Sequence, residues 1–147
     1  MKAKLCHRLL IPSLVGLGSL ISSVHASGTS GELPEALANA RFYAWGMVGT
    51  PGQISEEELA ARIVAKEWSS GQVVASILHA NLEGRIYLLC IMQRKFPSDY
   101  ARAKSLAGLS AGQRVSIFSG SVLRKVDAGD LIRQLEASHC APLGWPQ

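Results

Sequence analysis

"QVVASILHANLEGRIYLLCIMQRKF", residues 72–96, decides how the chain folds. Val73, Val74, Ile77, Ile86, Tyr87 and Ile91 are residue types enriched in strands, and Asn81 and Gly84 supply turn chemistry between them. The composition predicts a β-hairpin: one strand over 72–80, a turn at "NLEG" (81–84) and a second strand over 85–92. The second strand is apolar on both faces around Cys90, which places it centrally rather than at an edge.

Outward from this segment, the clearest helix is "SEEELAARIVAKEW" (55–68). Ser55 and Glu58 have capping-box spacing, so the serine oxygen accepts an early amide while the glutamate reaches back. Glu56, Glu57 and Glu58 also suit the positive end of the helix dipole. Leu59, Ile63, Val64 and Trp68 recur at helical spacing as the expected buried stripe. A shorter helix is expected over 97–109, capped by Ser98 or Asp99 and ending near Gly108.

"RVSIFSGSVL" (114–123) alternates Val115 and Ile117 with Arg114 and Ser116, the pattern of a half-buried strand that Gly120 interrupts with a bulge. Two segments stay open between helix and strand: 34–48, where "PEALANA" has helix signals and "FYAWGMV" is aromatic-rich, and 127–140, where Asp130 suits a helix cap. The elements sum to a mixed α+β domain with a small, mostly antiparallel sheet and two helices.

The chain starts with Lys2, Lys4 and Arg8, then an uncharged apolar stretch from Leu9 to Val24, then the small residues Val24 and Ala26 at signal-peptidase spacing. That is the layout of a secretory leader. The stretch is shorter than the roughly 20 residues that cross a bilayer as a helix, which favours a cleaved leader over the alternative of a retained anchor, and no membrane span is expected after cleavage. The expected organisation is a signal peptide over 1–26, a flexible segment over 27–54, one domain over 55–140 and a tail over 141–147. The predicted location is periplasmic or secreted.

Removing the leader changes the charge reading. The chain has 15 Lys+Arg against 11 Asp+Glu, and with the three leader cations gone the balance is 12 against 11. A high overall pI is therefore no argument for nucleic acid. The placement is uneven, though: Arg85, Arg94, Lys95, Arg102, Lys104, Arg114, Arg124 and Lys125 stand against Asp99 alone, between acidic flanks. Such asymmetry marks either a binding face or plain solvation of exposed elements. The candidate ligand face is Arg94, Lys95, Lys104, Arg114, Phe118, Arg124 and Lys125.

Cys6 leaves with the leader, so Cys90 and Cys140 are the remaining cysteines. An even pair in an exported chain favours a disulfide. Closing a loop of about 50 residues constrains the unfolded chain by roughly 3–4 kcal/mol on a chain-entropy argument.

The order of elements from 55 to 140 resembles exported OB-fold modules of the kind labelled tRNA-anticodon-binding-like. Leu109, Gly112 and Val115 stand in the Leu-x-x-Gly-x-x-Val step that introduces the fourth strand there, with Gly120 following in place of that step's later glycine, and Cys140 takes the place of a closing-strand cysteine. The resemblance implies a five-stranded barrel whose open face and loops bind an extended ligand, with nucleic acid as the fold's best-known partner. Such a barrel needs three strands before its helix, and "FYAWGMV" would have to supply the one that the 72–92 hairpin leaves short.

No catalytic constellation stands out. His79 and His139 lack partners at ligand spacing. A Cys90–His139 thiol–imidazole pair would need an accessible thiol, which "LLCIM" argues against. "SIFSG" lacks the Gly-x-Ser-x-Gly elbow, and no glycine-rich stretch has phosphate-loop spacing. The expectation is a non-enzymatic binding module without a metal or cofactor, its ligand an anionic polymer or a protein. The alternative is an inhibitor or immunity-type protein that blocks a secreted enzyme.

Overall fold

The computed structural model describes residues 31–46, 48 and 52–140. The expected leader and the 141–147 tail lie outside the described residues. Among the described residues, the chain forms α1 (Glu35–Ala38), α2 (Glu56–Glu67), α3 (Ser70–Ser76), α4 (Leu82–Lys95), α5 (Tyr100–Ala107), β1 (Arg114–Ser119), β2 (Val122–Asp127) and α6 (Ala128–Ala137). Single 3₁₀ turns, Ile77–His79 and Pro97–Asp99, lead toward α4 and into α5. No helix among these is long and apolar enough to cross a membrane.

This corrects the expected fold class. The chain forms six helices and one two-stranded antiparallel sheet, so neither a sheet-based domain with two helices nor a five-stranded barrel is formed among the described residues. The decisive change is at 72–96, where both expected strands are helical. Asn81 is the N-cap of α4, its side-chain oxygen accepting from the Gly84 amide at 3.0 Å. Glu83 lies in the first turn of α4 and Arg94 and Lys95 in its last, each matching the helix dipole. Residues 86–92 are all buried, and a helix buried on every side shows no amphipathic period. The run therefore reads as readily as a central strand, and tertiary burial decides the matter.

Gly84 is a packing glycine rather than a turn glycine. A Cβ built on it would lie 1.9 Å from the Leu37 carbonyl oxygen, so α1 crosses α4 where there is no side chain. The Asn81 amide donates to the Ala38 carbonyl at 2.9 Å, and its side-chain nitrogen donates to the Ala40 carbonyl at 2.7 Å, fixing the same crossing.

Helix α2 forms where expected, but turns differently. The Ser55 hydroxyl accepts from the Glu58 amide at 3.1 Å, yet the Glu58 carboxylate does not return to the cap. It accepts instead from the Gly46 amide at 2.6 Å and from Arg62 at 2.6 Å. Ala60, Ala61, Val64 and Ala65 face the core, while Leu59 and Ile63 are 48% and 52% exposed. Only Val64, and Trp68 in part, of the expected stripe pack inward. The full capping box belongs to α3, between Ser69 and Gln72.

Helix α5 begins after a 3₁₀ turn and ends at Gly108, which takes the left-handed conformation with φ 60°. The Asp99 carboxylate makes no cap bond and accepts from the Ser70 hydroxyl instead.

The strand expected over 114–123 divides at Gly120 into a hairpin, with Arg114 opposite Asp127 and Ser119 opposite Val122. Gly120 is the first of two loop residues and has φ 59°, the arrangement of a type II′ turn rather than a bulge. Of the two open segments, 127–140 is helical over Ala128–Ala137, with Asp127 as the cap accepting from the Asp130 amide at 3.0 Å. The 34–48 segment splits into the short α1 and an extended stretch. There Tyr43 pairs in parallel with Ile117: its amide donates to the Ser116 carbonyl at 2.8 Å and its carbonyl accepts from Phe118 at 2.9 Å. Val115 is the strand residue driven fully into the core.

Candidate functional site

The aromatic segment 42–45 packs where helix core and hairpin meet. The Tyr87 hydroxyl, projecting from α4, brackets one residue of that segment: it accepts from the Ala44 amide at 2.8 Å and donates to the Ala44 carbonyl at 2.8 Å. The Tyr43 and Trp45 rings lie 4.8 Å and 5.5 Å from the Tyr87 ring. Burial pushes the phenols of both Tyr43 and Tyr87 upward, so they stay neutral and offer no base at ordinary pH.

Above this floor lies a groove of about 320 Å³ between residues 43–45, the hairpin and α6. Tyr43, Trp45 and Phe118 form one wall, Leu131, Gln134 and Leu135 the other, and Arg124 is the single charged residue lining it among the described residues. Its volume is at the small end of ligand pockets, and Ser119, Gln134 and Ser138 add polar groups to its aromatic and aliphatic lining.

Cys90 and Cys140 form the expected disulfide, with Cα atoms 5.5 Å apart. Both are buried. The bond fastens the end of the α6 wall to α4, and the Tyr43 hydroxyl sits 3.3 Å from the Cys90 sulfur. A thiol–imidazole pair with His139 is thereby ruled out in this state. Arg94 donates to the Cys140 carbonyl at 3.4 Å and Gln93 to the Glu136 carbonyl at 3.3 Å, bracing the same junction.

The seven residues of the expected ligand face fall into two groups. Arg94, Lys95 and Lys104 are engaged in the helical body. Lys95 donates to the Ala65 carbonyl in the last turn of α2 at 2.7 Å. Lys104 pairs with Glu136 at 2.6 Å, beside the Tyr100 hydroxyl that donates to the same oxygen at 2.9 Å. The Lys104 bond holds the Glu136 carboxyl below its usual range despite partial burial.

Arg114, Phe118, Arg124 and Lys125 gather on the hairpin. Phe118 packs on Phe42 with ring centroids 5.3 Å apart. Arg114 donates to the Lys125 carbonyl at 2.8 Å, which covers part of the open β2 edge. Arg124 and Lys125 are exposed, and neither enters any ion pair formed among the described residues.

Two contributions escaped the sequence reading: the 43–45 wall and the α6 wall. The aromatic density of "FYAW" was the one available signal for the first. The second depends on the disulfide bringing 140 back to 90.

A separate ion pair stands at the opposite end of the 41–45 segment, where Arg41 Nε donates to buried Glu57 at 2.9 Å. Burial alone would raise the Glu57 carboxyl, but the Arg41 bond and charge, with backbone amides, outweigh it and hold the group low. Among the described residues, histidine, cysteine and carboxylate side chains nowhere form a group of three that would hold a metal ion. Comparisons of the chain with family models, with curated proteins and with solved structures gave no match.

Proposed function

We propose that the chain is an exported, non-catalytic binding module that meets a negatively charged ligand through the β1–β2 hairpin and the groove beside it. The observation that carries this reading is the division of the cations. Arg94, Lys95 and Lys104 are spent on backbone and carboxylate partners, whereas Arg124 and Lys125 stand exposed outside every described ion pair. Among the described residues Arg124 is also the single charge on a groove lined by aromatic and aliphatic side chains together with Ser119, Gln134 and Ser138. The leader layout supports export, and a buried disulfide suits an oxidising compartment.

Retention of the protein on immobilised heparin, a polyanion probe, tests this reading. Retention should fall steeply with added salt. The double variant Arg124→Glu/Lys125→Glu should elute at clearly lower salt than the wild type with an unchanged melting temperature. Equal elution of variant and wild type would refute the reading.

A further inference from the structure

The exposed tip of the hairpin carries apolar residues where a solvated turn would carry polar ones. Val122 is 61% exposed and Leu123 is 58% exposed, directly after the two-residue turn at Gly120. A Cβ at Gly120 would meet nothing within 4 Å, so the turn projects into open space.

Successive strand residues point to opposite faces. Val122 and Arg124 therefore share one face of β2, and Leu123 and Lys125 share the other. Each face presents an aliphatic side chain at the tip with a cation one step behind it. A flat partner would cover one face and leave the other aliphatic residue in water. A partner that closes around the tip covers both, and brings both cations to its rim.

We infer that the β1–β2 hairpin inserts tip first into a recess on another protein, with Val122 and Leu123 in its apolar interior and Arg124 and Lys125 against carboxylates at its mouth. The inference rests on the binding-module reading above and narrows its ligand class. A polysaccharide or nucleic acid would use the cations but gain little from two aliphatic side chains. A protein recess with an acidic rim uses all four. The tight turn keeps the ordering cost of insertion low, because few loop torsions remain to be fixed.

Site-specific photo-crosslinking tests the inference on the full chain expressed in its own host. p-Benzoylphenylalanine replaces Leu123 in one variant and exposed Glu67 on α2 in the control. The expected result is a protein adduct from position 123 that position 67 does not give. The captured protein, purified, should bind the wild type directly and bind Leu123→Ser about 30-fold more weakly, the scale of an interface hot spot. Arg124→Glu/Lys125→Glu should also lose binding, and recover it when rim carboxylates of the partner are changed to lysine.

A captured protein whose affinity is unchanged by Leu123→Ser would overturn the inference, as would adducts to nucleic acid or polysaccharide, or none at all. Heparin retention that depends on Arg124 and Lys125, without a Leu123-dependent protein complex, would overturn the inference alone. Loss of both would remove the parent reading too.

Discussion

Gly84 in α4 meets the Leu37 carbonyl of α1 so closely that one added methyl would stand 1.9 Å from the oxygen. Helix propensity favours alanine over glycine by about 1 kcal/mol inside a helix. The backbone contact reverses that sign, because neither α1 nor α4 yields without repacking. Gly84→Ala should destabilise the protein by about 2 kcal/mol or more in denaturant unfolding. Gly71→Ala, in α3 with nothing within 4 Å, should be neutral or gain up to about 1 kcal/mol. Equal effects of the two substitutions would refute the crossing.

Tyr87 serves both backbone groups of Ala44 with one hydroxyl. Tyr87→Phe keeps the ring stacking and leaves a buried donor and a buried acceptor unpaired, which costs about 1–3 kcal/mol. The 43–45 wall of the groove should loosen with it. Hydrogen exchange checks this: the Ala44 amide should lose protection more than amides in the centre of α4.

The Cys90–Cys140 bond closes a separation of 50 residues. Its removal should lower stability by roughly 3–4 kcal/mol. Reduction and Cys140→Ala should shift the unfolding midpoint similarly, since both release α6 while leaving Cys90 in the core. Intact mass after alkylation without reduction should show no modified thiol at either position.

Acid should weaken the protein through its ion-paired carboxylates. Glu57 and Glu136 both have carboxyls held below the ordinary 4.5. Groups lowered on folding stabilise the native state above their unfolded value, and that contribution disappears as pH falls through the folded value. Melting temperature should therefore drop on acidification below about pH 4.5, with a shallower drop in Glu57→Gln. At neutral pH that variant should already be less stable than wild type by about 1–3 kcal/mol, because Arg41 loses its charged acceptor. A pH profile of Glu57→Gln parallel to wild type would show that Glu57 has no part in it.

Local signals in the sequence located what local physics determines. Ser55 before three glutamates marked α2, Gly108 marked the end of α5, and the paired cysteines marked the crosslink. Residues 72–96 misled because β-branched and aromatic side chains occupy a helix with no polar face at its centre. Their periodicity carries no information once every side is buried, and the quieter signs, Asn81 as cap and charges sorted along the dipole, pointed to helix. Leu59 and Ile63 misled in the opposite sense: their spacing fits a core stripe, yet α2 packs through alanines that let α4 approach. On the candidate site, charge density was visible in the sequence, but its division was not. Whether a lysine holds a distant carbonyl, as Lys95 does, depends on contacts made across 30 residues.

The pairing of Tyr43 with Ile117 joins opposite ends of the described chain. The strand stretch that receives Tyr43 is synthesised only after all the helices between them, so local order along the chain cannot complete the fold. Loop closure on this scale slows folding. Until the loop closes, the 42–45 aromatics have no strand to lie against. An emerging chain can already pack Tyr43 and Trp45 on the Tyr87 ring of α4, but Phe42 waits for Phe118 of the hairpin, so that ring stays uncovered longest.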